Sequence, residues 1–214
     1  MNVFRVFATG QARGKVTQEY AGLIYASKKD EDLFELDEFT GRPFRRKWRV
    51  PTLCVNMPRL PRPDFFNFSP EFVCNQRVVE LAGEPLEMSG ELLPVKVERE
   101  KGRFFVFNCT NCINALDHKR SKWAAVGAKS KRLVKPAFLP ERFGEPTLFK
   151  IEEDGATRLY CVERTGDPDD GEFKALVEKH GLTGLRFESI WSDIKGSQRV
   201  SQSANCVRLA TAAT

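Results

Sequence analysis

The chain has little of what most enzymes and membrane proteins need. It holds only two histidines in 214 residues, so candidates for a neutral-pH acid or base are few. No uncharged apolar run approaches the roughly 20 residues of a spanning helix, which excludes an α-helical membrane protein. There is no internal repeat and no long low-complexity tract. The one glycine-and-lysine segment near the start, Gly10 to Lys15, lacks the Gly-Lys-Ser/Thr ending of a phosphate-cradling loop. No basic start followed by an apolar run opens the chain, as an export signal would. Met1 to Phe7 alternates instead and reads as a first β-strand, and the expected compartment is the cytoplasm.

What is present makes a core. Apolar residues are 41%, with 17 Phe and three Trp, too many for a chain that buries nothing. Thirty-four Lys and Arg against 29 Asp and Glu give a net charge of +5. The length fits one large domain or two small ones.

Several segments carry local signals. Lys28 to Phe39 is acidic and amphipathic, consistent with a short helix closed by Gly41. Arg42 to Arg49 interleaves cations with Phe44 and Trp48, and the prolines at 51, 58, 61 and 63 suit an extended surface connection. Ser69-Pro70-Glu71 is a helix-start pattern, predicting a helix that ends at Gly83. Leu92 to Val97 and Phe104 to Phe107 read as strands around a charged turn. Asn108 to Trp123 reads as a strand leading into a turn or short helix, and the stretch with Lys129, Lys131, Arg132 and Lys135 is basic. Thr147 to Glu152 and Thr157 to Val162 read as two strands joined around Asp154-Gly155. A helix from about Gly171 to His180, striped by Phe173, Leu176 and Val177, and a strand from Leu182 to Phe187 follow. Helices and strands alternate without a βαβ rhythm. The expected fold is α+β: a mixed, mainly antiparallel sheet, a few packed helices, and a C-terminal β-hairpin–helix–strand unit. Residues 1–195 are expected to form one domain with halves at 1–100 and 101–195, and 196–214 a polar, flexible tail.

Three chemistries deserve weighing. Of the six cysteines, Cys109 and Cys112 have redox or zinc-ligand spacing, but no second pair completes a zinc site and reduced, packed thiols are the simpler reading. Asp117 and His118 are adjacent, yet sequence neighbours usually point apart, and no nucleophile is placed beside them. The Arg42 to Arg49 run can grip phosphate or anchor a protein; no nucleic-acid fold signature accompanies it, so nucleic acid is disfavoured as a partner.

Three stretches, Val106 to Ser121, Glu145 to Lys150, and Glu172 to Glu188 with Trp191 after it, resemble a bacterial immunity-protein family first defined around a myxobacterial protein, formerly a domain of unknown function. The matching elements are Asn108, the Leu116-Asp117 pair, Ser121 and the Gly181 to Gly184 turn, with Gly41-Arg42-Pro43 and Trp48 fitting the N-terminal half. The resemblance spans about Asp37 to Ser192. It implies a non-enzymatic protein with no cofactor or metal that neutralises a cognate secreted toxin, encoded nearby, by non-covalent occlusion. The alternative is a small enzyme using Cys109/Cys112 or Asp117/His118. On the immunity reading the candidate partner-binding residues are Arg45, Arg46, Lys47, Trp48, Asp117, Lys122 and Trp123. Either an acidic patch at 30–38 or 163–172 faces the toxin, or the basic run docks on an acidic toxin surface, the favoured case.

Overall fold

The structure, a computed structural model, describes residues 1–9, 19–32, 39–44, 47–68, 71–126 and 130–193. In chain order the strands are β1 (Asn2–Ala8), β2 (Gly22–Tyr25), β3 (Thr52–Asn56), β4 (Phe65–Phe68), β5 (Glu71–Asn75), β6 (Gly90–Val97), β7 (Phe104–Cys109), β8 (Lys122–Val126), β9 (Ser130–Lys135), β10 (Leu148–Phe149), β11 (Leu159–Glu163) and β12 (Leu185–Ser192). The helices are α1 (Lys28–Glu31), α2 (Gln76–Ser89) and α3 (Phe173–Lys179). The expected α+β class holds, and the sheets are mainly antiparallel.

β1 is the expected strand and lies inside a four-stranded antiparallel sheet of order β10-β11-β1-β12, with buried residues on both faces. Val6 and Ala8 join Leu159 and Cys161 in a first core cluster. Val3 points the other way, with Tyr160 and Val162, into a second. A bulge in the β1–β12 ladder sets both Ile190 and Trp191 against that second cluster.

The other large sheet has the order β2-β3-β6-β7-β5-β4, and β3–β6 is its parallel pair. Its strands β5 and β7 are buried on both faces. Phe105, Phe107 and Cys109 of β7 turn toward the first cluster, and Phe104 and Val106 toward a third. The sheet curls around this third cluster until its two outermost strands meet, with the Tyr25 and Phe68 rings 5.1 Å apart.

The predicted helix over 69–83 is corrected here. Residues 69 and 70 lie outside the described set, and Glu71–Asn75 is strand β5, pairing with β4 and β7. Phe72 and Cys74 face one cluster and Val73 the other, so burial on both sides outweighs the local helix-start signal. The helix begins one residue after Asn75, whose side chain accepts from the Val78 N–H at 3.1 Å. Gly83 does not end it, but the helix breaks at Ala82 (φ −143°, ψ 23°), and Pro85 falls in the first turn after that break, where its missing N–H costs little. Val78, Ala82 and Leu86 enter the first cluster beside Phe173 and Val177 of α3.

Other corrections are smaller. The proline-rich connection is extended as expected, with Pro58 and Pro61 exposed, but it contains β3, whose Leu53 is fully buried in the third cluster. Of the acidic helix, the described residues show α1, capped by Ser27; residues 33–38 lie outside the described set. β10 and β11 form the expected hairpin, shortened by a 3₁₀ turn at Glu152–Asp154 that closes on Gly155 at φ +74°. α3 starts at Phe173 and is capped at His180, and β12 runs five residues beyond the expected end at Phe187. The tail at 196–214 lies outside the described residues. Among the described residues no helix is long and apolar enough to cross a membrane.

β8 and β9 pair with one another as a separate antiparallel ribbon. Its strands were legible only as a basic stretch. Trp123 and Leu133, directly opposite each other, root it in the second cluster with Leu116 and Phe138.

Candidate partner-binding surface

The turn leading into the ribbon is built by Asp117. Its backbone N–H donates to the Ala137 carbonyl at 2.8 Å, and its Oδ1 accepts from the Lys119 and Arg120 N–H groups at 3.0 and 3.1 Å. This is the turn an Asp side chain makes with backbone two and three residues on. Ser121 closes the same turn: its N–H donates to the Asp117 carbonyl, and its Oγ accepts from the Ala137 N–H at 2.9 Å. His118 leans elsewhere. Its Nε2 lies 3.1 Å from Glu153 Oε1, and its ring stacks on Trp123 at 6.1 Å and 8°. Asp117 and His118 therefore engage different partners and form no acid–base dyad. Asp117→Ala should remove two backbone acceptor contacts and cost about 1–2 kcal/mol. For a chain of this size that is a fall in Tm of roughly 2–8 °C; an unchanged melting curve would show the turn needs no such support.

A second group of candidates sits on a strap over the curled sheet. Lys150 Nζ donates to the Phe39 carbonyl at 2.9 Å. Asn108 Nδ2 donates to the Arg42 carbonyl at 3.0 Å and to Glu91 Oε2 at 2.9 Å, and that same carboxylate oxygen accepts from the Phe44 N–H. Gly41 adopts φ +78° and passes so close to Cys112 and Ala156 that a Cβ there would lie 3.2 and 3.3 Å from theirs. Trp48 is half-buried, donates from Nε1 to the Pro94 carbonyl at 2.8 Å and meets the Phe44 ring edge-on at 5.0 Å. Lys47 beside it is exposed; Arg45 and Arg46 lie outside the described residues.

The sequence candidates thus fall on two places. Asp117, Lys122 and Trp123 share the ribbon and its turn, while Lys47 and Trp48 belong to the strap. Both tryptophans are anchored rather than presented. Sequence reasoning passed over Lys119, Arg120, Lys131, Arg132 and Lys135, all exposed around the ribbon. The signal was present as a stretch without carboxylates; what was missing was the strand pairing that gathers it.

Three of the described cysteines pack in the core. Cys74, Cys109 and Cys161 are fully buried, and desolvation pushes each thiol up to about 12. Burial, reinforced by the carboxylates at 152–154, also raises half-buried Cys112. Thiolate is the reactive form, and burial disfavours it at Cys74, Cys109 and Cys161. Against an aromatic disulfide reagent at pH 8, Cys74, Cys109 and Cys161 should stay unmodified in the native chain and react once it is denatured. Rapid labelling of native Cys109 would overturn this.

A shallow cleft of about 410 Å³ lies elsewhere, lined by Glu84, Pro85, Met88, Glu145, Arg164 and Asp170 among others. None of Cys109, Cys112, Asp117 or His118 lines it. Among the described residues no three His, Cys, Asp or Glu side chains are grouped to hold a metal ion. Compared with known proteins, the chain matches no family model and no curated protein.

Proposed function

We propose that this chain is an immunity protein: it binds a cognate bacterial toxin in the cytoplasm, occludes it without covalent chemistry and needs no cofactor. The observation that carries the reading is where the family-like residues fall. Asn108 holds the strap at Arg42, Gly41 seats it against Cys112, Asp117 and Ser121 build the turn into the ribbon, and Gly184 docks the last turn on Phe65. They are frame residues, as expected where relatives share an architecture but each binds a different toxin. The groups an enzyme would have used support the same reading. Cys109 is buried and its thiol raised, Cys112 is half-buried and raised, and Asp117 serves its own turn.

Co-expression with the toxic domain encoded beside it is the test. The full chain should restore growth of cells making that domain, and the two proteins should co-elute as a stable complex. A failure to restore growth, or turnover of a metabolite abolished by a change at Asp117 or Cys109, would overturn the proposal.

A further inference from the structure

We infer that the β8–β9 ribbon is the face that docks on the partner, and that the partner's matching surface is a carboxylate-rich protein surface. The inference rests on the immunity reading for the partner's identity but on the ribbon's own chemistry for the surface.

From His118 to Pro140 the sequence holds seven Lys and Arg and not one Asp or Glu. Six of these cations are described: Lys119, Arg120, Lys122, Lys131, Arg132 and Lys135, all exposed. Among the described residues none of the six is in an ion pair, although cations at 62, 77, 150 and 174 are.

The register sharpens the point. Lys122 stands directly opposite Lys135. Like charges in that relation destabilise an antiparallel pair. Folding gains nothing from this arrangement, and an external anionic surface relieves it. The ladder shifts between Lys122 and Trp123, which leaves Val134 as an extra residue at 55% exposure; Val126 near the tip is 50% exposed. Cations are thus interleaved with aliphatic contact area on a ribbon whose base is fixed by Trp123 and Leu133. A fixed base lowers the ordering cost of binding.

The aliphatic component favours protein over nucleic acid. Single-stranded nucleic acid is gripped by cations together with aromatic faces that stack on bases. Trp123, the ribbon's aromatic residue, is half-buried in the second cluster and stacked on His118.

The test uses the full chain and labelled poly-L-glutamate as the acidic probe, with duplex DNA as the competing probe. The variant K122E/R132E/K135E is compared with K29E/R59E/K101E, which makes the same charge change at exposed sites away from the ribbon. The ribbon variant should bind poly-L-glutamate at least tenfold more weakly, while the control changes little. It should also slow association with the neighbouring toxic domain by about tenfold or more, as lost electrostatic steering does. The neutral variant K122Q/R132Q/K135Q should show the same losses in smaller measure, which guards against a fold lost to charge reversal. Equal losses in the ribbon and control variants would overturn the inference, as would tighter binding of duplex DNA than of poly-L-glutamate through the ribbon. If poly-L-glutamate behaves as expected but the chain gives no protection, the immunity reading falls and the acidic-surface preference stands. If protection and association rate survive in the ribbon variant, the docking face falls and the immunity reading stands.

Discussion

Replacing Lys150 by Met should lower the unfolding free energy by about 3–5 kcal/mol. Lys150 is 1% exposed, and its Nζ lies 2.5 Å from Oε1 of Glu71, itself 2% exposed on its side chain. The pair joins the residue after β10 to the first residue of β5, and Lys150 also holds the Phe39 carbonyl. Three parts of the fold thus meet at one ammonium group. Removing it leaves Glu71 buried without its counter-charge and frees the start of the strap. Burial already raises the Glu71 carboxyl above its ordinary value, against the pull of Lys150. Without Lys150 that opposition is gone and the folded-state value rises further. A carboxyl raised in the folded state keeps its contribution below the unfolded value and loses it as pH rises through the folded value. The deficit of Lys150→Met relative to the parent should therefore be smaller near pH 4 than at pH 8. Glu71→Leu/Lys150→Met should recover much of the loss, because an apolar pair of similar volume replaces a buried ion pair at little cost. Urea unfolding of the three variants at both pH values decides this. A loss below about 1 kcal/mol in Lys150→Met would mean that water or rearrangement reaches Glu71.

Gly184→Ala is expected to be nearly as damaging, on the order of 4 kcal/mol, with the left-handed backbone and the steric overlap each contributing about 1–3 kcal/mol. Gly184 has φ +100°, and a Cβ there would sit 2.1 Å from the Phe65 carbonyl oxygen and 2.8 Å from Pro63 Cβ. The obstacle is backbone, and it is pinned. The Phe65 N–H donates to the Thr183 carbonyl at 2.9 Å, the Thr183 N–H to Asp64 Oδ2 at 2.9 Å, and the Thr9 N–H to the Gly184 carbonyl at 2.8 Å. A methyl group cannot be admitted without parting β4 from the turn before β12. Gly171→Ala is the matched control: φ is +70° there, with nothing within 4 Å of the added carbon. It should cost only the conformational penalty, about 1–2 kcal/mol. Similar losses in both variants, measured by urea unfolding, would mean the Phe65 carbonyl moves aside freely.

These two sites also mark what was legible in the sequence. Several elements could be read: the opening strand β1, β7 from its Phe-rich run after a charged turn, α3 by Phe173 and Val177, and the β10–β11 hairpin by Asp154-Gly155. β5 could not. Four of its five residues are buried, so period 2 vanishes and a local Ser-Pro-Glu signal prevails by default. The Glu71–Lys150 pair was invisible for a related reason: 79 residues separate its members, and each alone reads as a solvated charge. At the candidate surface the cations were plain, but Lys and Ala, which make up much of the ribbon, are weak strand formers, so the ribbon was hidden. The packing role of Cys109 could be anticipated, whereas the service of Asp117 to its own turn is completed by the Ala137 carbonyl, twenty residues away.

The position of β1 has a temporal consequence. Its neighbours are β11 and β12, with Asn2 opposite Glu163 on one side and Ser192 on the other. β1 therefore stays unpaired until strands that follow it by 161 residues or more at Asn2 are available. Such distant closures slow folding. Newly made molecules must pass through an interval in which this strand is unpaired, and native structure lags behind translation by that interval.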